Sequence, residues 1–362
     1  MVTQDVEFRD EDCGELLKLY KRGKRLGCGG QGQVFALTHR GFGHKRYAGK
    51  MFRSSSEARR EASIMDMLHA CPGVAHLEGF VKERDGAQCY GSIVMELCGP
   101  SLFDRLLKAG PMCEEDAART IKKLAETIKE IHSRGIVHRD LKPENVFLKL
   151  DAAAADDVVI GDFGMATDDP REMAQCCGTG KYLAPEVIAI KFGKSSYTEA
   201  VDVWGLGLIA YELLRGCTEW RVMDLLRAGR FPDGLFSDGA ADLLRGMLAV
   251  EPRKRTTLDR VLAHPWIVRH CSRSKTKAKI AHTKIMAIIQ RTASRCGDHL
   301  GTTLQRLGKR PGIIRNALSE RERRAQGFVV APPRSWGEGE EGRASRERAM
   351  ARAPPPRWLG HE

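Results

Sequence analysis

The chain has 362 residues, 42% of them apolar and 29% charged, which is ordinary for a soluble globular protein and long enough for two packed domains plus a remainder. No run of about 18 apolar residues occurs, which argues against a transmembrane helix. The net charge of +12 is concentrated: 21 Lys/Arg face 8 Asp/Glu from residue 269 onward, leaving 38 against 39 before it. A near-neutral body of this kind is not a nucleic-acid clamp.

The N-terminus has neither a basic-then-apolar signal pattern nor a glycine at position two, so an intracellular protein is expected, cytoplasmic or carried to the nucleus by its basic tail. The eleven cysteines are scattered, odd in number and without Cys-x-x-Cys spacing, which fits reduced thiols rather than a disulfide framework. Cys176-Cys177 falls in a loop expected to be exposed, and a redox-sensitive pair is the minority reading there.

In chain order, residues 1–21 read as a short acidic extension. Strand-like runs follow at 34–37, 46–52 and 92–97, separated by Gly-rich turns. A helix is expected over 57–69, with Ala58, Glu61, Met65 and Leu68 on one face and Ser54, Ser55 or Ser56 as its cap. From residue 102 the character turns helical. The stretch 114–133 carries an apolar stripe of Ala118, Ile121, Ala125, Ile128 and Ile131, and 200–214 is apolar nearly all round, as in a buried helix. A small β-rich lobe followed by a larger α-rich lobe is the expected α+β architecture. Beyond residue 269 a basic, partly helical extension is expected to 330, followed by a Pro/Gly/Arg/Glu-rich tail, 331–362, that buries too little apolar surface to fold.

Gly27-Cys28-Gly29-Gly30-Gln31-Gly32 is a G-x-G-x-x-G pattern, weak alone because dinucleotide-binding folds share it. Here the glycines lie between strand-like segments instead of opening a helix, and they let backbone approach phosphates closely. Further on come His138-Arg139-Asp140-Leu141-Lys142-Pro143-Glu144-Asn145, then Asp162-Phe163-Gly164, then Ala184-Pro185-Glu186. Through these motifs, in this order, residues 22–268 resemble the eukaryotic protein kinases, with a division into lobes at 22–98 and 99–268.

The resemblance implies a bilobal kinase fold and an enzyme moving the γ-phosphoryl group of ATP, with Mg²⁺, to serine or threonine on a protein. Asp140 matches the catalytic base, Lys142 a lysine that meets the γ-phosphate in Ser/Thr kinases, and Asn145 and Asp162 the metal ligands. Gly27, Gly29 and Gly32 match the phosphate-covering loop. Lys50 matches the lysine that holds the α/β-phosphates, and Glu61 its ion-pair partner. Only ten residues separate these two, fewer than usual, so Glu57 stays the second candidate and a plain surface glutamate the third. Val34, Ala48 and Phe147 would line the adenine site, with Met95 as gatekeeper and Glu96-Leu97-Cys98 as hinge; plain core packing is the alternative for each apolar member. Asp202 matches an aspartate that orients the catalytic loop, and Glu186 and Arg255 a buried ion pair.

The texture is similar to the calcium/calmodulin-dependent and calcium-dependent kinases, yet no Asp-x-Asp-x-Asp-Gly loop follows, so calcium control would come through a separate protein. Gln175-Cys176-Cys177 stands where many relatives carry a phosphorylated threonine, which leaves Arg139 without a phosphate and with Glu172 or a nearby acid as a weak substitute. Activity without activation-segment phosphorylation is therefore expected. Thr179 matches a residue that contacts Asp140 and Lys142. Glu144 and Glu212 match acids that read basic residues upstream of the acceptor, but Ser101 and Lys181 are unusual at their positions. Residues 273–292 form a basic, Ile-bearing pattern that would dock calmodulin or another acidic partner; a solvated basic tail is the bland alternative. A pseudokinase scaffold is the competing function. Protein substrates, no specific nucleic acid, no membrane and a monomer complete the expectations.

Overall fold

Residues with high strand propensity dominate before residue 97 and helix formers after it, and the computed structural model divides in the same way. It describes residues 14–272 apart from 30, 31, 44, 86, 87, 153, 194, 195 and 233. The segment 273–292 and everything beyond it therefore lie outside the described residues.

The first lobe opens with a short helix, α1 (Gly14–Leu19), followed by β1 (Tyr20–Gly29), β2 (Gly32–His39), β3 (Arg46–Phe52), helix α2 (Ser55–Met67), β4 (Leu77–Asp85) and β5 (Gln88–Glu96). The strands form one antiparallel sheet in the order β1-β2-β3-β5-β4. Register decides what each face carries. Lys50 pairs with Val34 on one side and Ile93 on the other, and Ala48 pairs with Ala36 and Met95, so these residues share one face. Phe35, Leu37, Met51 and Val94 share the opposite face, where Leu16 of α1 seals them into a separate small core. Gly49 belongs to that packing: a Cβ there would lie 2.4 Å from Leu37 Cδ1.

Helix α2 is set by Ser54, whose hydroxyl accepts from Glu57 N, and it buries Ala58, Glu61, Met65 and Leu68 as its spacing predicts. The short interval between Lys50 and Glu61 is absorbed by the turn between β3 and α2, Arg53-Ser54, while the helix keeps 13 residues.

The second lobe comprises α3 (Leu102–Ala109), α4 (Glu114–Ser133), a small hairpin of β6 (Val146–Leu148) and β7 (Val158–Ile160), then α5 (Pro185–Ile188), α6 (Ala200–Arg215), α7 (Trp220–Arg227), α8 (Asp238–Met247) and α9 (Leu258–Ala263). Ser101 and Asp104 cap α3 reciprocally. The α4 stripe is buried throughout, and α6 is buried on all sides from Val201 to Leu213. Glu186 and Arg255 meet in a two-bonded pair at 2.5 and 2.9 Å beneath the loop that precedes α5. Among the described residues no helix is long and apolar enough to cross a membrane.

Candidate active site

The sheet delivers Lys50 from its middle strand, and α2 delivers Glu61 to meet it. Lys50 Nζ donates to Glu61 Oε1 at 3.0 Å and Oε2 at 2.7 Å, and to Asp162 Oδ1 at 2.6 Å. One ammonium thus serves two carboxylates. Burial works against the charge on Lys50, but Asp162 and Glu61 outweigh it and hold its pKa above the ordinary lysine value. Burial likewise opposes the charge on Asp162, and Lys50 with help from Lys142 and His138 still holds that carboxyl below the usual range. Glu61 gains least. Its desolvation and the nearby Asp162 charge exceed what Lys50 returns, and its pKa is pushed up to about 7. Glu57 makes no such contact; its backbone N–H takes part in the α2 cap.

The second half of the site hangs from α6. Asp202 accepts from His138 N at 2.8 Å, from Arg139 N at 2.9 Å, and pairs with His132 Nε2 at 2.8 Å. These bonds hold the loop while Arg139 takes a left-handed φ of 65°; Asp162, across the site, has φ 59°. Two non-glycine residues in that region within one site are a concentration of backbone strain. His138, fully buried, packs edge-on against Phe163 and lies 3.2 Å from Gly161 O. The result is a fixed Asp140: Oδ1 accepts from Thr179 N at 2.7 Å, and Oδ2 from Lys142 Nζ at 2.6 Å and Asn145 Nδ2 at 3.2 Å. Lys142 also bonds the Thr179 hydroxyl. The expected contacts of Thr179 with Asp140 and Lys142 are thus both present.

Around this centre, Ala48 and Met95 are cross-strand neighbours and Val34 lies across from Lys50, so one sheet face carries all three. Phe147, on β6, packs its ring 3.1 Å from where a Cβ on Gly161 would stand. Glu96 N is held by His76 O at 2.8 Å, which fixes the end of β5 where the chain passes to the second lobe. The Cys98 thiol, beside it, is pushed up to about 12 by burial and by Glu96, so it stays neutral. Gly27 pairs with Val34 and Gly29 with Gly32 where β1 turns into β2. At Gly32 any Cβ would stand 2.1 Å from Met51 O, so that position excludes other residues.

The protein kinase domain family matches residues 20–267, more than two thirds of the chain. The chain belongs to the protein kinase family. It is 32% identical over 275 residues to calcium-dependent protein kinase 19 of Arabidopsis thaliana, covering 70% of this chain and 48% of that protein. It is 34% identical over 274 residues to calcium-dependent protein kinase 2 of Oryza sativa subsp. japonica, covering 70% and 51%. The chain thus spans about half the length of the curated relatives it matches.

The kinase family uses ATP and Mg²⁺ generally, and the donor set here suits such a group. Asn145 commits its amide nitrogen to Asp140, at 3.0 Å to the backbone oxygen, which leaves its amide oxygen as the acceptor for a cation. Asp162 is held ionised and is the most open of the three ion-paired groups, with 39% of its side chain exposed against 8% for Lys50. Two hard oxygen donors are the ligand type that Mg²⁺ takes beside nucleotides.

Several features of this kinase domain were not legible in its motifs. Lys181, flagged only as unusual, pairs with the buried Glu212 at 2.8 Å, and Tyr182 and Thr218 donate to the same carboxylate. Arg227 of α7 donates to the carbonyls of Gly180, Lys181 and Leu183, clamping the strip beside Thr179. Cys176 and Cys177 are half-buried rather than exposed, because Cys176 packs against the core and Cys177 lies 3.6 Å from the Tyr197 hydroxyl. Glu172, the acid expected to stand in for a phosphate on Arg139, is bonded to it, and what the motifs did not show is that a second arginine, Arg60, shares that carboxylate.

Proposed function

We propose that this chain is an ATP-dependent protein kinase that phosphorylates serine or threonine on protein substrates. The observation that carries the reading is a pair of hydrogen-bonded clusters, Lys50 with Glu61 and Asp162 and, beside it, Asp140 with Lys142, Asn145 and Thr179, where Asn145 O accepts from the N–H of Gly161 next to Asp162. ATP with Mg²⁺ supplies the phosphoryl group and offsets its charge. Lys50 is placed to hold the α/β-phosphates, with Glu61 keeping its ammonium in position. Asp162 and Asn145 present oxygens for the metal. Asp140, with both carboxylate oxygens tethered, is oriented to accept the acceptor hydroxyl's proton, and Lys142 adds positive charge where the transferring group would lie. Val34, Ala48, Met95 and Phe147, with the Glu96–Cys98 hinge and the glycines at 27, 29 and 32, form the nucleotide's apolar and backbone surroundings.

The basic segment 273–292 belongs to this proposal as a docking site for calmodulin or another acidic partner, supported by its charge pattern and by the calcium-dependent kinases among the relatives. The test is a degenerate peptide array with labelled Mg-ATP and the purified chain, run with and without calcium-calmodulin. Phosphoserine or phosphothreonine should appear, and Asp140→Asn should lower turnover by about 10²–10⁴-fold while nucleotide still binds. Absence of any labelled peptide or protein would end the kinase reading. A rate indifferent to calcium-calmodulin would end the docking reading.

A further inference from the structure

The strip 178–183 runs beside the acceptor-side acid, because Thr179 N donates to Asp140 Oδ1 and the Thr179 hydroxyl meets Lys142. Two residues further on, Lys181 turns its ammonium inward. It donates to Glu212 Oε1 at 2.8 Å and to the Tyr182 hydroxyl at 3.4 Å, and it stands 5.0 Å from the centre of the Tyr182 ring. A carboxylate and an aromatic ring converging on one spot make a seat for a cation. Glu212, from α6, is wholly buried, whereas 15% of the Lys181 side chain stays open. Glu144, in the catalytic loop, belongs to the same cluster of charges, and its Oε2 is buried without a hydrogen-bond partner. Burial, with the Glu212 charge, raises the Glu144 pKa, and Lys142 and Lys181 work against that rise.

The strip and the acid are both held without the lysine. Arg227 holds the carbonyls of Gly180, Lys181 and Leu183, and Trp220 lies against Gly180, where a Cβ would stand 3.2 Å from its ring. Glu212 keeps three other donors: the Tyr182 hydroxyl at 2.9 Å, Thr218 N at 3.0 Å and the Thr218 hydroxyl at 2.6 Å. What Lys181 adds is a positive charge at a partly open position. A peptide presenting its hydroxyl to Asp140 spaces its residues about 3.3 Å apart when extended, so side chains close to the acceptor reach residue 181. An arginine or lysine arriving there meets a like charge and finds the acid already taken.

We propose that Lys181 determines substrate specificity by filling, from within the chain, the seat on Glu212 that a basic residue flanking the acceptor would otherwise take, so that this kinase selects serine or threonine in non-basic surroundings. The inference rests on the kinase reading above. Its test compares the full-length wild type with Lys181→Met, which empties the seat, and Lys181→Gln, which removes the charge but keeps a donor for Glu212. The substrates are a serine peptide with neutral flanks and copies carrying one arginine, placed in turn at each flanking position. Peptide kinetics give the ratio of kcat/KM for each arginine peptide to that for the neutral one. Fluorescent copies with alanine in place of the serine give the same ratio as affinities, without any phosphoryl transfer.

In the wild type no arginine position should raise the ratio above about threefold. In both variants at least one position should gain about 10-fold over the wild-type ratio, through KM more than kcat, and the gain should shrink as salt is added. A lysine that only braced the strip would, when replaced, lower the rates for all peptides together and leave the ratios where they were. The proposal is overturned by a wild type that favours arginine beyond threefold at any position, or by variants whose ratios match the wild type. Melting temperatures show which variants are folded, and Lys181→Gln decides if Lys181→Met is not. If the wild type phosphorylates nothing, the kinase reading falls separately. The binding ratios then decide this inference, with equal ratios in wild type and variants counting against it.

Discussion

Two buried ion-pair centres in this molecule make opposite use of the same chemistry. At Glu186–Arg255 both side chains are essentially inaccessible, the charges are one to one, and the guanidinium's other donors reach the Ala200 and Ala249 carbonyls while its plane lies 5.2 Å from the Trp204 ring. Every requirement is met internally. At Lys50–Glu61–Asp162 one cation serves two acids, one acid is partly exposed, and the other is pushed toward neutrality. The first centre is closed and holds the fold. The second is short of positive charge and left open on its Asp162 side, where, on the kinase reading proposed above, a Mg²⁺ ion would supply it.

The two centres should part most clearly at Lys50. Lys50→Met should lower kcat/KM by about 10²–10³-fold, measured on peptide substrate, while circular dichroism shows the folded lobes intact. Arg255→Met should do the reverse. It strands Glu186 without compensation and should cost about 3–5 kcal/mol of stability, read as a large fall in melting temperature. Equal losses of stability at the two sites would erase the distinction.

Glu61→Gln sharpens the contrast through pH. In the unfolded chain Glu61 titrates near 4.5, and in the folded chain at about 7. Between those values the folded state binds more protons, so its contribution to stability falls as pH rises through that window and is flat above it. Removing the carboxyl should cancel this slope, because Lys50 keeps Asp162 as partner. Urea unfolding at pH 5 and pH 8 should show Glu61→Gln gaining on the wild type by on the order of 1–3 kcal/mol at the higher pH. The smallest effect belongs to an exposed pair, Lys129–Asp259, with 53% and 72% of the side chains open. Lys129→Ala should change stability by less than about 1 kcal/mol, measured in the same unfolding experiment.

How much of this was legible in the sequence depends on the reach of each signal. The stripes of α2 and α4 are local and periodic, so they could be read directly, as could the all-round burial of α6. α1 could not, because only Leu16 of its six residues is buried. β1 escaped because most of its residues are exposed and no alternation shows, and β4 because Glu78, Lys82, Glu83, Arg84 and Asp85 mask it. At the site, the motifs led to Lys50, Asp140, Asn145 and Asp162, and the local family pattern around Glu61 favoured it over Glu57. The Lys181–Glu212 pair, the Arg227 clamp and the hold of Arg60 on Glu172 were out of reach. Each joins segments tens of residues apart through the path of an irregular loop, which no spacing rule encodes.

The two backbone amides bound by Asp202 carry a consequence for motion. His138 and Arg139 are not in a helix or a strand, yet their N–H groups are tethered to Asp202 in the first turn of the most deeply buried helix, α6. Releasing either would require opening the interior of the larger lobe. In deuterated solvent these loop protons should persist as long as those of α6 itself, far outlasting exposed loop amides elsewhere in the chain. A segment that looks like a connection would then report the global unfolding of its lobe.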